Sequence, residues 1–171
     1  MSWRLKHRKA NLKARVVPAA AVGTVAFLVM LFEFPVIPAA PYLKVDLSAV
    51  VLATFAILKG NWVSALFIKD FLFFLMRPDP IGVAVDFTLN SIFLSSVYLT
   101  QHFLLSSVLT VISGIIVGSI AVKFYTGHLD STMFFIILQF NVIKWSLIGI
   151  VSYWIVRHNK RIVVRLWQKL R

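Results

Sequence analysis

Four ionisable side chains, Lys69, Asp70, Asp86 and Lys144, lie inside strongly apolar stretches of this sequence, with Asn90, Gln139 and Asn141 beside them. A charge held at the middle of a bilayer costs from ~2.5 to ~10 kcal/mol or more, so such groups face a protein interior or a cavity. Asp86 and Asn90 are spaced i, i+4, and Asn141 and Lys144 are spaced i, i+3. Each pair therefore shares one face of a helix. Two helices would then aim an amide and a charge at a common interior. That arrangement can hydrogen-bond a small ligand in a polar cavity. It can equally be charge pairing that packs the helices, Lys144 with Asp86 for instance. Phe71, Phe73, Phe74, Phe87, Phe93 and Trp145 lie between these groups, and an aromatic lining would suit a flat heteroaromatic ligand.

What must position these groups is organised around Glu33 to Leu47, EFPVIPAAPYLKVDL. Pro35, Pro38 and Pro41 lack amide donors and disfavour the α conformation in the residue before each, so this stretch is not a regular helix. It reads as a loop that leaves an apolar bundle, crosses its surface and re-enters. Such a loop can be a lid over a binding site or a stiffened connection between helices.

Composition sets the class. Of 171 residues, 60% are apolar and only 14% charged, and the mean hydropathy is +0.87. A soluble domain has too few charges there to cover its apolar surface. The expectation is an all-α, polytopic membrane protein with a single integral-membrane domain over 1–171. There is no cysteine, which removes disulfides and thiolate chemistry. No small-residue cleavage site follows a short apolar core, so the first helix reads as retained rather than as a signal peptide.

The net charge of +12 could suggest nucleic acid, but its placement argues against that. Twelve of the 18 basic residues lie in two terminal blocks, 1–15 and 157–171, with no acid among them. Cytoplasmic flanks of membrane proteins carry Lys and Arg in this way, and anionic lipid headgroups attract them. Both termini are expected in the cytoplasm, which requires an even number of spans.

Six spans satisfy that requirement, at about Val16–Phe32, Leu47–Leu58, Trp62–Met76, Ile81–Leu99, Phe103–Phe124 and Thr132–Val156. Pro18 would sit in a first helical turn, where proline is tolerated. Arg77-Pro78-Asp79-Pro80 reads as a turn that excludes helix. The second span is short for a full crossing, so it is tilted, buried in protein, or begun earlier. Ala19 with Gly23, and Gly114 with Gly118, form small-xxx-small pairs that let another helix approach closely. Lys59 and the 100–102 link fall on the inner side. The proline loop, the 77–80 turn and the 126–131 loop fall outside.

Other chemistries lack their residues. No glycine-rich phosphate loop is present, so the chain does not hydrolyse ATP through one. His7, His102, His128 and His158 are far apart, at loops and tails, which suits interfacial positions better than a metal site. No serine, histidine and acid set has nucleophile-elbow spacing. The chain reads as a non-enzyme without cofactor or metal.

The order of these features resembles a known family. A first span, FPVIPAAPYLKVDLSAVVLA, a lysine inside the third span, DPIG opening the fourth and FNVIK in the last look like the substrate-binding S component of energy-coupling factor (ECF) vitamin transporters. The riboflavin-binding members are the most similar, and the resemblance runs from about Val16 to Arg161. It implies a six-helix subunit in the cell membrane that captures a water-soluble vitamin outside. Such a subunit delivers it inward on a shared membrane coupling subunit with two ATPases. The small residues Ala19, Ala20 and Gly23 would form the docking face. Asn141 and Lys144 of FNVIK would contact the ligand, and Tyr42, Leu43, Lys44 and Asp46 would belong to the loop that closes the site. Lys69, Asp86 and Asn90 complete the candidate binding set. Three departures stand out. Asp86 occupies a position where the riboflavin pattern tends to have an amide, the first-helix alanines are shifted from AxxxA, and the loop before the sixth helix is short. A carboxylate there favours donors or a cationic or pyridine ring, making pyridoxine or a hydroxymethylpyrimidine rivals to riboflavin; pantothenate would set its carboxylate against Asp86. The reading from another class is a membrane scaffold whose buried charges are structural pairs.

Overall fold

The computed structural model describes the backbone of residues 2–37, 43–58 and 60–170, and side chains from 16 to 159 among these. Tyr42 and Lys59 lie outside the described residues, as do the side chains of the basic arm and of the tail beyond Asn159. The described chain forms six helices: α1 (Ser2–Met30), α2 (Ser48–Ile57), α3 (Trp62–Met76), α4 (Pro80–Thr100), α5 (Phe103–Thr126) and α6 (Ser131–Leu170). Between α1 and α2 two short strands form a small ribbon, β1 (Phe34–Pro35) and β2 (Lys44–Val45). These strands pair antiparallel, Phe34 with Val45 and Pro35 with Lys44. Among the described residues the fold is therefore all-helical apart from this ribbon of two residues per strand.

Local chemistry sets the helix ends. Asp79 caps α4 by accepting a hydrogen bond from Gly82 N at 3.0 Å, and Pro80 occupies the first turn. The expected 77–80 turn is thus one residue shorter, because proline's missing N–H is no loss at that position. Asn61 caps α3, accepting from Ser64 N at 3.3 Å. Gln101 closes α4 in the left-handed region at φ 60°, and Gly127 closes α5 at φ 77°. Pro18 departs from expectation. The basic arm and first span form one continuous helix, so Pro18 lies in its interior and not in its first turn. The α6 helix bends at Asn159, where φ is −111° and ψ is 18°.

Among the described residues, three helices are long and apolar enough to cross a membrane: α4, α5 and α6 as far as Asn159. The apolar part of α1, Val16–Met30, is shorter. With its 10 residues, α2 rises only ~15 Å. Burial in protein accounts for that short length. Ser48, Ala49, Val50, Leu52, Ala53, Phe55 and Ala56 are all buried, and α2 touches α1, α3, α4 and α6. It is the central rod of the bundle. The core around it joins Ala19 and Ala26 of α1, Ala65 and Leu66 of α3, Phe93, Leu94 and Val97 of α4, and Trp145 and Ile148 of α6.

The ribbon is tied down by charge. Glu33 accepts from Lys44 Nζ at 3.0 Å and from Arg77 Nη1 at 2.8 Å, joining the end of α1, β2 and the α3–α4 turn. Partial burial opposes the Glu33 charge, but the two basic partners outweigh it and hold the carboxyl below its ordinary range.

Gly23 marks the closest helix contact of α1. A Cβ there would lie 2.5 Å from the Ala65 carbonyl oxygen and 3.0 Å from Ile68 Cβ. Backbone cannot yield as a flexible side chain does. Gly23→Val should therefore destabilise the detergent-purified protein by about 1–3 kcal/mol, read as a lowered thermal midpoint. Ala21→Val, on the exposed side of the same turn, should leave the midpoint unchanged.

Candidate binding site

The polar residues expected from sequence converge at the end of the bundle that carries the ribbon. Lys69 is 0% exposed on α3. Its Nζ donates to Asp86 Oδ2 of α4 and lies 2.9 Å from Oδ1 of its neighbour Asp70. The Asp70 contact is an ion pair without hydrogen-bond geometry. Lys144 of α6 lies 3.7 Å from Asp86 Oδ1 and 3.6 Å from Asp46 Oδ2. Asp46, between β2 and α2, accepts on its other oxygen from Ser48 N at 2.9 Å and from Ser48 Oγ. Five charged residues thus form one connected network across α3, α4, α6 and the segment after the ribbon.

The part of this network around the fully buried Lys69, with Asp70 and Asp86, is held by its own completeness: removing Lys69 would leave uncompensated carboxylates, at a cost of about 3–5 kcal/mol. Lys69 has no access to solvent or cavity, so its part is structural: it neutralises Asp86 from behind. Asp86 Oδ1 and Lys144 are left on the open side.

That open side is a cavity of about 580 Å³ between α4, α5 and α6, with Leu43 closing it from the ribbon loop. This falls within the range of ligand pockets, ~300–1,000 Å³. Asp86, Asn141 and Lys144 are its inner polar groups, while Asp79, Tyr125 and Thr126 stand at the helix ends that form its rim. The Tyr125 hydroxyl donates to Asp79 Oδ1 across that rim. The Gly82 amide, followed by the Tyr125 hydroxyl, holds the Asp79 carboxyl below its usual range. Much of the remaining wall is aliphatic, including Val85, Leu89, Ile136 and Ile137, with Phe140 as its aromatic ring.

Asn141 is seated by a glycine. It is 3% exposed and donates to the Ile137 carbonyl at 2.9 Å. A Cβ on Gly114 would collide with its side-chain oxygen, and one on Gly118 would lie 3.0 Å from Ile137 Cγ2. The α5 glycine pair thus lets α6 approach and places Asn141 at the cavity wall. Lys144 Nζ also lies over the rings of Trp145 and Phe140, at 5.5 and 5.9 Å from their centroids.

The structure separates the expected residues into groups. Asp86, Asn141 and Lys144 line the cavity; Asp46 and Lys69 back it through the ion network. Asn90 is buried but turned onto its own helix, donating to the Asp86 carbonyl at 2.9 Å, and is not part of the cavity wall. Lys44 faces Glu33 instead. Ala19 and Gly23 are buried inside the bundle, and α1 packs on α3, so this small-residue pair is occupied within the chain; Ala20 is half-buried beside it. The anticipated aromatic lining also differs. Phe71 and Phe74 are 52% and 40% exposed on the outside of α3, while Phe93 and Trp145 pack on each other in the core, centroids 5.3 Å apart. Phenylalanines spread around a helix cannot all face one cavity.

Asp70, Asp79, Gly114 and Tyr125 join the site beyond the expected binding set. Asp70 had a signal, adjacency to Lys69. The meeting of Tyr125 with Asp79, 46 positions apart, had none. A second cavity of about 650 Å³ lies at the opposite end, against Gln101, His102, Tyr153 and Arg157, and contains none of the expected binding residues.

No protein-family model and no curated protein matches the chain. Among solved structures, one described as "Structure and mechanism of the S component of a bacterial ECF transporter" superposes with a TM-score of 0.73 at 22% sequence identity. The match covers 87% of this chain and 96% of that one. The chain has the fold of that bacterial ECF transporter S component.

Proposed function

We propose that this chain is the substrate-specificity subunit of an ECF-type importer, a multi-pass protein of the cell membrane with six spans and both termini in the cytoplasm. It captures a water-soluble vitamin from outside. It releases that vitamin inward when docked on a membrane coupling subunit driven by two ATPases. The observation that carries this reading is the cavity beneath the ribbon, walled by apolar residues with Asp86, Asn141 and Lys144 at its inner end. A packing-only network would have no reason to leave Lys144 and one Asp86 oxygen on the side of an open cavity. The shared fold with an S component supports the same role. The proposed work is transport, not catalysis.

The ligand proposed first is riboflavin, whose flat ring carries alternating donors and acceptors for Asp86, Asn141 and Lys144. Pyridoxine or a hydroxymethylpyrimidine is the alternative, favoured by the carboxylate of Asp86 in the wall.

Native mass spectrometry of the detergent-purified chain, with an absorption spectrum, tests this. A bound small mass is expected: yellow with flavin absorbance for riboflavin, colourless for a pyridine or pyrimidine vitamin. No bound mass, and no thermal shift with any B vitamin, would overturn the vitamin role in favour of a membrane scaffold.

A further inference from the structure

The acids of this chain all lie away from one of its two ends. There are six: Glu33, Asp46, Asp70, Asp79, Asp86 and Asp130. Glu33 belongs to the ribbon clamp, Asp46, Asp70 and Asp86 to the ion network, and Asp79 to the cavity rim. Asp130 stands just before α6 at that same end, accepting from Met133 N at 2.7 Å. The opposite end, where α4 passes into α5 and α6 approaches Asn159, contains none of them. That end holds the second cavity, of about 650 Å³. Its polar groups are Gln101, His102, Tyr153 and Arg157, and the rest of its wall is apolar, with Leu104 and Leu105 among it.

Arg157 is presented there, not neutralised. Among the described residues, no carboxylate lies within ion-pair distance of it. Its Nη1 donates to the Tyr153 hydroxyl, and its guanidinium lies 5.5 Å from the centre of that ring. This contact steadies the fork while using one of its five N–H groups. Tyr153 accepts in it, so its own O–H is free to donate. His102 makes no capping bond to α5. Gln101 holds a left-handed backbone, φ 60°, where glycine would be cheaper but would bring no amide to the cavity.

We propose that this cavity binds an anionic phospholipid, its phosphate held by Arg157, Tyr153, Gln101 and His102 and one acyl chain led onto α5. The inference rests on the membrane part of the reading above and not on the vitamin.

Three observations support it. Depth is the first. Helix α4 ends at Thr100, α5 begins at Phe103, and the apolar part of α6 ends at Asn159, so the cavity lies at the edge of the apolar layer. Tyr153 and Trp154 stand one turn before Arg157, and such aromatic residues favour the headgroup level. Shape is the second. Leu105, Leu109, Ile112, Ile116 and Ile120, each between 44% and 61% exposed, run as one apolar stripe along α5 from the cavity. A free phosphate would use the polar wall alone, whereas a lipid uses both. Charge is the third. Basic pockets between membrane helices on the side that the proposed topology puts in the cytoplasm suit anionic headgroups. A zwitterionic headgroup would bring an ammonium to a place with Arg157 and no carboxylate to receive it.

Native mass spectrometry and thermal unfolding of the full chain in a neutral maltoside detergent test this. The probes are phosphatidylglycerol, phosphatidylcholine and inorganic phosphate. One phosphatidylglycerol should be held at least about fivefold more tightly than phosphatidylcholine. It should raise the thermal midpoint, and inorganic phosphate should not. Arg157 is exposed, so Arg157→Gln should leave the lipid-free midpoint unchanged while weakening phosphatidylglycerol at least about fivefold. Arg157→Lys, which keeps the charge but loses the fork, should recover only part of that affinity. Lys169→Gln removes the same charge from the tail and should change it less than about twofold. Equal weakening by Arg157→Gln and Lys169→Gln would make the attraction a diffuse one of the basic tail and overturn the site. Phosphatidylcholine binding as tightly would overturn it too, and inorganic phosphate matching the thermal shift would make it a free-anion site instead. No vitamin enters these readouts, so failure of the vitamin reading and failure of the lipid site are told apart.

Discussion

A fully buried ammonium must be answered where it stands. Lys69 is closed off from solvent, and in apolar surroundings its charge is tolerable only beside carboxylates. Asp70 and Asp86 supply them, which obliges α3 and α4 to pack in one register. With α4 fixed, Asp86 presents its second oxygen toward α6. Lys144 then has a partner on each side, and the segment after the ribbon is drawn in through Asp46. The position of the cavity follows from this chain of compensation.

Small residues do the complementary work. Gly23 lets α1 lie on α3, and Gly114 lets Asn141 of α6 lie on α5. In a membrane, where lipid is as apolar as leucine, such close approach supplies dispersion contacts that burial alone cannot. The bundle is tight around α2 and opens between α4, α5 and α6 at the ribbon end. Glu33, with Lys44 and Arg77, holds the ribbon from the outside while Asp46 holds it from within.

Much of this was legible in the sequence. Helix positions followed from apolar runs broken by Pro, Gly and Asn, and α3 was placed to the residue, Trp62–Met76. Charges inside apolar runs marked the network, since the cost of burying them demands partners. What sequence could not supply was direction. Asn90 and Asp86 share a face, yet Asn90 turns back on its own helix. Lys44 and Asp46 are two residues apart on an extended segment, but one meets Glu33 outside and the other Lys144 inside. Spacing also did not reveal that α1 spends Ala19 and Gly23 on internal packing, because a small-residue stripe reads alike for either partner. The length of α1 was missed for a local reason: Pro18 signals a helix start, and here the helix continues through it.

The central claim is that the network divides its labour, Lys69 holding the fold and Lys144 serving the ligand. Measuring riboflavin affinity and the thermal midpoint of Lys144→Gln together tests it most directly. The account predicts affinity lower by about tenfold or more, roughly 1.4 kcal/mol, with the midpoint of the unliganded protein within about 4 °C of the unsubstituted chain. A collapse of the midpoint with affinity intact, or equal losses of stability and affinity, would contradict it and make Lys144 a packing residue.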